Sequence, residues 1–416
     1  MQQIFVELYN YRPEWRALDD EQRQTFVMGV MDALTGLQKQ GVEVIGYGAN
    51  DLETDRRAPY DFFCVYRVPD VDAQRKIEAE VAASGWYDYF DQVNVSGAAR
   101  TPIGTLLNHV ALLPPAPQGP PISAVSPFTK HRANVLGRTM TFLDEGAGIP
   151  VVFVHGDVMS SFLWRNVIPH LDGLPARTIA VDLIGAGDSD KLPGAGPGTY
   201  SFATHARYFD AWMETLNLSE GVVLVGHDWG ANVAFDWAMR NEGRVRGLAF
   251  SEGITPPFDW EDWPAEMRPA FQYLRTAEGE QDVLENNVFV NAAPHSITRV
   301  LTPAELAEIV RPYAKSGEDR RPTIDWPSQV PFGDDRSEIR TVLEAQAEWL
   351  ASASVPKLHL PGVPGGIARQ GGRRREMIST WPNLTEAPVP GIHWTPEDAP
   401  HAMGAALADW LRTIGV

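Results

Sequence analysis

Apolar and polar positions alternate along the first 100 residues in a pattern that predicts a small sheet covered by helices. Strand-like runs lie at residues 4–9, 42–47, 60–68 and 93–95, and helical spacing of apolar residues lies at 19–39 and 70–84. Period-two alternation indicates strands, and apolar positions three and four residues apart indicate helices. The predicted element order is therefore βαββαβ.

This order is the ferredoxin-like pattern. The pattern of apolar and polar residues in this part of the chain resembles that of the small domains that pair into a dimeric α/β barrel. We expect residues 1–111 to form a ferredoxin-like α+β domain whose task is oligomerisation, so that the chain is a homo-oligomer. His109, Tyr9, Tyr47 and the cluster at 86–90 are candidates to line a pocket. Such residues more often fill a core or an interface, and we favour that reading.

Residues 112–128 are dense in proline, which continues neither a helix nor a central strand, and they predict a linker between two domains. Beyond it, strand-like runs lie at 138–143, 151–155, 178–181, 222–225, 247–251, 357–360 and 385–387, and helical runs at 202–216, 231–240 and 400–414. This alternation predicts an α/β domain with a parallel sheet over residues 129–416. Residues 259–345 break the alternation and predict an inserted helical cap.

The most informative stretch is the apolar run Val222–Val225, which leads into Gly226, Asp228 and Gly230. Two glycines around a strand-to-helix turn permit the sharp bend of a nucleophile elbow, with Asp228 as the raised residue. An ordinary helix N-cap does not need glycine on both sides. A carboxylate nucleophile attacks carbon and leaves an ester on the enzyme, which activated water must then cleave.

Three stretches carry a resemblance to a known family. Residues 155–166, residues 182–191 and the turn at 226–230 are similar to the haloalkane dehalogenases of the α/β-hydrolase superfamily, and the likeness runs from about residue 130 to residue 416. It implies an α/β-hydrolase fold with a helical cap, and a hydrolase that cleaves a carbon–halogen bond with water. The expected partners are a small apolar halogenated substrate, water and the halide product, with neither a cofactor nor a metal ion.

The resemblance also implies a catalytic triad. The chain is most similar to the branch of the family whose acid follows the strand after the nucleophile helix, where Glu252 stands, and residues 355–365 offer no Asp where the other branch has one. The base would be His393, although His359 and His401 are rivals on spacing alone. In this reading Asp228 forms the ester, and His393, oriented by Glu252, activates the water that hydrolyses it.

Halide departure needs hydrogen-bond donors, and the family pattern supplies an indole and an Asn amide. Trp229 matches the indole, but position 157 is Asp where the family has Asn. An ionised carboxylate offers no donor, and at about 4 Å with an effective dielectric near 20 it would repel a halide by roughly 4 kcal/mol. Our hypothesis is that Asp157 is protonated, which burial in an apolar pocket favours. The backbone N–H groups of Trp229 and Asp157 would serve the oxyanion of the second step.

Two other functions stay open. The same three residues would suit an epoxide or activated-ester hydrolase, although the cap offers few tyrosines to protonate an epoxide, namely Tyr273 and Tyr313. A binding or sensor protein that has lost turnover is the second alternative. Several cap aromatics are candidates to line an apolar pocket: Trp260, Trp263, Phe271, Phe289 and Trp326.

Composition narrows the remaining classes. The chain has 416 residues, of which 44% are hydrophobic, so it can bury more than one core. Its net charge of −19 disfavours nucleic acid and anionic membranes as partners. The single cysteine, Cys64, excludes an internal disulfide framework and suits a reducing compartment. No secretory signal is visible, and no apolar run reaches the roughly 20 residues of a membrane helix. We expect a cytoplasmic protein.

Overall fold

The structure is a computed structural model that describes residues 2–99, 119–218, 221–257, 259–263, 265, 267–333 and 337–416, apart from the side chain of residue 295. The chain divides into two compact units, Met1–Thr101 and Pro102–Val416. His109 and residues 112–118 of the predicted linker lie outside the described residues.

The first unit contains one antiparallel sheet. Its strands are β1 (Gln3–Tyr11), β2 (Glu43–Ala49), β3 (Phe62–Val68) and β4 (Phe90–Ala98), and its helices are α1 (Pro13–Ala17), α2 (Asp20–Lys39), α3 (Val71–Ala83) and α4 (Trp86–Tyr89). The strand order is β2-β3-β1-β4. The predicted succession of four strands and two long helices is confirmed, while the short helices α1 and α4 were not predicted.

Only one face of this sheet packs against the long helices. Phe5 and Cys64 of the sheet are buried in one cluster with Leu37 of α2 and Ile77 of α3. Alternate residues of a strand point to opposite faces. Apolar residues of β2 and β4 stay on the surface, with exposed fractions of 48% for Ile45, 41% for Val93 and 59% for Val95.

The second unit is built on an eight-stranded sheet of order β13-β11-β10-β9-β7-β8-β6-β5. These strands are β5 (Lys130–Val135), β6 (Arg138–Gly146), β7 (Ile149–Val154), β8 (Ala176–Val181), β9 (Val222–His227), β10 (Val245–Ser251), β11 (Lys357–His359) and β13 (Leu384–Glu386). A separate parallel pair joins β12 (Gly362–Pro364) to β14 (Val389–Gly391). The expectation of a wholly parallel sheet is wrong at one end, because β6 is antiparallel to both β5 and β8, and β5 was not predicted.

Helices cover this sheet and form the cap. They are α5 (Phe202–Thr215), α6 (Trp229–Arg240), α7 (Arg268–Tyr273), α8 (Ala277–Asn286), α9 (Val288–Ala292), α10 (Pro303–Val310), α11 (Pro322–Ser328), α12 (Glu338–Leu350), α13 (Arg373–Ser379), α14 (Thr395–Asp398) and α15 (Pro400–Thr413). Helices α7 to α11 follow β10 as the cap. Helix α12 packs on α6, where the Gln346 side chain donates to the carbonyl oxygen of Asn232 at 3.0 Å. The predicted cap end at about 345 therefore falls inside α12.

The central strands are apolar on both faces. In β7, Val152 and Val154 belong to one hydrophobic cluster and Val151 and Phe153 to another. A strand covered on both sides loses its polar alternation, which explains the continuous apolar run before the elbow. The carboxyl ends of β9 and β10 lie at one edge of the sheet, where ligands bind in open α/β folds. No described helix is long and apolar enough to cross a membrane.

Candidate active site

Asp228 lies in a tight turn between β9 and α6. Its backbone φ is 52°, a value that residues other than glycine rarely adopt. Both flanking glycines are required because neighbouring backbone atoms leave no room for a Cβ atom. A Cβ atom on Gly226 would lie 2.3 Å from Cα of Ala231, and one on Gly230 would lie 2.3 Å from the carbonyl oxygen of Val154. The Gly-x-Asp-x-Gly pattern therefore has the strand–turn–helix geometry that a nucleophile elbow requires.

The Asp228 carboxylate is buried, and backbone amides point at it. Its Oδ2 accepts the N–H of Asp157 at 3.1 Å, and the N–H of Trp229 also bonds to the carboxylate. Burial raises the pKa of Asp228, against the lowering effect of His393 and of these amides. A Cβ atom on Gly156 would lie 2.4 Å from Oδ2, so glycine is needed there too. The two amides are thus set to stabilise an oxyanion formed on this carboxyl group.

His393 lies between the two predicted carboxylates. Its Nδ1 is 3.4 Å from Oε2 of Glu252, and its Nε2 is 4.0 Å from Oδ1 of Asp228. Burial alone would lower the pKa of His393, but the hydrogen bond to Glu252 and the charge of Asp228 raise it above its usual value. The structure therefore brings together all three residues that the sequence assigns to the triad.

Glu252 is completely buried and directly follows β10, with a φ of 54°. Its carboxylate accepts the backbone N–H groups of Gly366, at 3.4 Å, and of Ile367. A Cβ atom on Gly366 would lie 2.9 Å from Oε2. The segment after β12, which offers no acid of its own, thus supplies the donors that hold Glu252. Sequence reasoning missed both residues, because they stand more than 100 positions from Glu252 and no local motif marks them.

A further set of contacts holds the loop that carries His393. The carbonyl oxygen of His393 accepts from Nε2 of His227 at 2.8 Å and from the N–H of Thr395 at 2.9 Å. The hydroxyls of Ser251 and Thr395 are 2.7 Å apart. His227 and Ser251 directly precede Asp228 and Glu252, so the ends of β9 and β10 also position His393. No motif in the sequence indicates this contact of His227.

The rival histidines lie elsewhere. His359 bonds to Glu386 at 2.9 Å, and His401 bonds to His170 at 3.0 Å. His155 accepts the N–H of Leu183 at its Nε2 at 2.9 Å and so connects its own turn to the segment after β8. Among the described residues, no group of three metal-binding side chains is placed to hold an ion.

Asp157 lies beside the nucleophile, with 6% of its surface exposed. Its Oδ1 accepts the N–H of Val158 at 2.7 Å, while its Oδ2 is buried without a hydrogen-bond partner. Val158 has a φ of 51°, which is strained for a β-branched residue. Burial and the charge of Asp228 raise the pKa of Asp157 well above its usual range. Because Asp228 holds more hydrogen bonds and faces His393, a proton shared by the two carboxyl groups belongs on Asp157.

These groups meet at the floor of a cavity of about 470 Å³. Asp157, Asp228, Trp229 and His393 supply polar atoms, and apolar side chains of the cap make up most of the remaining wall. Of the predicted cap aromatics, Trp263, Phe271 and Phe289 line the cavity. The other two pack behind it: Trp326 stacks on Trp229 with ring centroids 5.0 Å apart, and Trp260 stacks on Phe332 at 3.7 Å.

Comparison with known proteins gives a match for each part of the chain. A family of unknown function (DUF6616) matches residues 2–112, and the family described as alpha/beta hydrolase fold matches residues 149–349. A haloalkane dehalogenase of Sphingobium indicum is 45% identical over 290 residues, which cover 69% of this chain and 97% of that protein. A coelenterazine h 2-monooxygenase of Renilla reniformis is 34% identical over 290 residues, which cover 68% of this chain and 90% of that protein. The crystal structure of a haloalkane dehalogenase from Bradyrhizobium elkani has a TM-score of 0.65 and 35% identity, and the match covers 69% of this chain and 98% of that one.

Proposed function

Because the chain belongs to the haloalkane dehalogenases, which have the α/β-hydrolase fold, it is a hydrolase of carbon–halogen bonds, and we propose that Asp228, His393 and Glu252 carry the reaction. The observation that best supports this assignment is the position of His393, 3.4 Å from Glu252 and 4.0 Å from Asp228. A base in that position is within reach of a water that attacks an ester on Asp228. The higher identity to the dehalogenase, 45% against 34% for the monooxygenase, favours hydrolysis over oxygenation.

In the first step Asp228 attacks the carbon that carries the halogen, opposite to the leaving group. The carbon–oxygen bond forms as the carbon–halogen bond breaks, and the halide takes the electron pair. The apolar cavity favours this step, because a carboxylate with little hydration is a stronger nucleophile and an apolar substrate loses little on entering. The products of the step are an alkyl ester on Asp228 and a halide ion.

The halide is received by the indole N–H of Trp229 and by the neutral carboxyl group of Asp157. Stacking on Trp326 fixes the plane of the indole. The unpartnered Oδ2 of Asp157 carries the proton and donates it as a hydrogen bond to the halide. A neutral Asp157 restores the donor that the change from Asn to Asp removes from the family pattern, and it avoids the repulsion of an ionised carboxylate.

In the second step His393 takes a proton from a water that attacks the ester carbonyl. The resulting oxyanion lies on the Asp228 carboxyl group, whose Oδ2 accepts the amide of Asp157 and to which the amide of Trp229 also bonds. Formation of the ester also removes the charge of Asp228, one of the causes that raise the pKa of His393. The base therefore loses its proton more easily at the stage that needs it neutral.

Intact-mass analysis tests this assignment. We expect a His393→Ala variant incubated with 1-bromohexane to gain the mass of one hexyl group on Asp228, because the ester forms and is not hydrolysed. His401→Ala is the matched control, since His401 pairs with His170, and it should turn over without an adduct. An adduct on another residue, or none with any haloalkane of a panel, would contradict the assignment.

We propose that the first unit is a ferredoxin-like domain that pairs with a second copy of the chain. The strand order β2-β3-β1-β4, with the long helices on one face, supports the fold. The exposed apolar residues Ile45, Val93 and Val95 support pairing, because unpaired apolar faces of this kind mark association surfaces. We expect Val95→Asp to halve the mass measured by sedimentation while halide release continues; an unchanged mass would refute pairing through this face.

We also propose a cytoplasmic location. The single cysteine, Cys64, is buried and unpaired, as is usual for proteins of a reducing compartment. Fractionation of cells that express the chain, followed by antibody detection, tests the location.

A further inference from the structure

We propose that the same pocket hydrolyses epoxides to diols, with Asp157 as the acid that protonates the epoxide oxygen. The inference rests on the proposed function, because Asp228 is the nucleophile for both classes of substrate. It adds a second substrate class and a second role for Asp157.

The geometry places an acid beside the nucleophile. Asp157 and Asp228 both line the cavity, and the N–H of Asp157 donates to Oδ2 of Asp228 at 3.1 Å. The other end of Asp157, its Oδ2, is buried and has no hydrogen-bond partner. Two carboxyl groups that line one cavity can both contact a bound substrate, and Oδ2 of Asp157 has no protein partner that would compete with that contact.

A halide and an epoxide oxygen, as leaving groups, need different help from the side chain at position 157. A halide leaves as a stable anion, so hydrogen bonds to it are sufficient. An epoxide oxygen leaves as an alkoxide, which is strongly basic and must take a proton as the ring opens. An amide or an indole N–H can donate a hydrogen bond but cannot give up its proton at neutral pH, whereas a carboxylic acid can. The change from Asn to Asp at position 157 therefore turns a donor into an acid.

No cap tyrosine competes for this role among the described residues that line the cavity. Tyr273 is a lining residue, but its hydroxyl donates to Asp282 at 2.5 Å. Tyr313 is buried and does not line the cavity. In the sequence, the small number of cap tyrosines is an argument against epoxide opening. Asp157, which lines the cavity, supplies the acid that those tyrosines do not.

The reaction balances without any further reagent. Asp228 attacks an epoxide carbon, the carbon–oxygen bond of the ring breaks, and the oxygen takes the proton of Asp157. Water then attacks the ester carbonyl while His393 takes its proton, and collapse of the intermediate releases the diol and the Asp228 carboxylate. The proton on His393 returns through solvent to Asp157, so that the net change is the addition of one water to the epoxide.

The charges around Asp157 support its use as an acid. The groups that act on it are Asp228 and Asp325, whose charges together with burial raise its pKa, and Tyr313, which is buried and neutral. Burial and both charges thus favour the protonated form of Asp157. As the ester forms, the charge of Asp228 disappears, and the proton of Asp157 leaves more easily at the moment when the alkoxide needs it.

The test compares two substrates of equal chain length, 1,2-epoxyhexane and 1-bromohexane, on the full-length enzyme. We expect the wild type to produce 1,2-hexanediol from the first and bromide from the second. Asp157→Asn should lower diol formation about a hundredfold, the lower range for loss of a general acid, while bromide release at alkaline pH should increase, because the Asn amide donates to the halide at every pH. Asp409→Asn, whose side chain is 79% exposed, is the matched control and should leave both reactions unchanged.

The outcomes separate the two proposals. Bromide release without diol formation in the wild type overturns the epoxide activity, and diol formation that survives Asp157→Asn overturns the role of Asp157 as its acid; both results leave the proposed function intact. Failure of bromide release as well contradicts the proposed function. A second readout uses His393→Ala, which should gain the whole mass of the epoxide on Asp228, and the adduct should fail to form when Asp157→Asn is added. Bromide release by Asp157→Asn shows that this variant is folded.

Discussion

Nε2 of His227 donates a hydrogen bond to the carbonyl oxygen of His393 at 2.8 Å, and so connects the residue before the nucleophile to the base. Burial and the neighbouring His393 hold the pKa of His227 well below its usual value, so the ring is neutral. Because a carbonyl oxygen only accepts, the proton of the neutral ring is on Nε2. His227 is thus a positioning residue for His393, which it reaches through backbone and not through substrate.

This contact predicts a selective defect in His227→Phe. Phenylalanine keeps a ring in the buried space but removes the donor, so the loop of His393 loses one of its two bonds at the carbonyl. A neutral hydrogen bond contributes about 1 kcal/mol, and we expect ester hydrolysis to slow about fivefold while formation of the ester is nearly unchanged. Rapid quenching followed by intact-mass analysis should show ester accumulating at steady state.

His227→Gln is the control for that prediction, because its amide can donate from a similar distance. We expect it to restore most of the hydrolysis rate. If His227→Phe slows both steps equally, or if Gln fails to rescue, the histidine has only a packing role.

A second prediction concerns Gly366, whose amide bonds to Glu252. A methyl group at this position would lie 2.9 Å from Oε2 of Glu252 and 3.3 Å from Cβ of His393. Gly366→Ala should therefore displace the acid from the base, and since small misplacements cost up to about a hundredfold in rate, we expect a loss of ten- to a hundredfold in ester hydrolysis. Gly243→Ala, which meets nothing within 4 Å, is the control. Equal rates in the two variants, measured by single-turnover kinetics, would show that Gly366 has no part in placing Glu252.

The difference between Asp228 and Gly366 explains how far the sequence predicts this site. Asp228 is marked by its own neighbours: an apolar strand and two glycines specify the elbow within nine residues. The roles of Glu252 and His393 came from the family resemblance, which assigns each by its place after a strand. The structure places the two side chains together because strand ends of an α/β sheet meet at one edge.

Gly366 and His227 could not be found in this way. Each acts through a backbone group or on one, at a partner more than 100 residues along the chain. Such contacts depend on the register of the strands, and no local sequence motif indicates them. The antiparallel strand β5 was missed for a related reason, since four of its six residues are polar or basic and the strand lacks the apolar run of a central strand.

A third prediction follows from the protonation of Asp157. Its pKa is raised by burial and by Asp228. An acid is protonated below its pKa, so kcat/KM for a haloalkane should be full below the raised pKa of Asp157 and fall as the pH rises through it. Asp157→Asn should remove this alkaline fall. On the acid side, kcat should decrease in both enzymes as the pH drops below the pKa that His393 has in the ester intermediate, where the charge of Asp228 no longer raises it.

Halide release measured across pH at constant ionic strength checks this third prediction. Asp409→Asn serves again as the control and should keep the wild-type profile. An alkaline limb that persists unchanged in Asp157→Asn would show that Asp157 does not titrate in the working enzyme.

A last prediction concerns stability. Arg165 is fully buried and bonds to Glu397 at 2.5 Å and to Glu305 at 2.6 Å, and Arg299 completes this buried network between the cap and the segment after His393. Removal of one partner of a buried ion pair leaves a charge uncompensated and costs about 3–5 kcal/mol. We expect Arg165→Met to lower the free energy of unfolding by this amount in urea titrations, whereas Arg412→Met, which breaks an exposed pair with Asp409, should cost less than about 1 kcal/mol. Because Glu397 lies four residues after His393, the Arg165 variant should also hydrolyse the ester more slowly; equal midpoints for the two variants would mean that the network contributes no more than a surface pair.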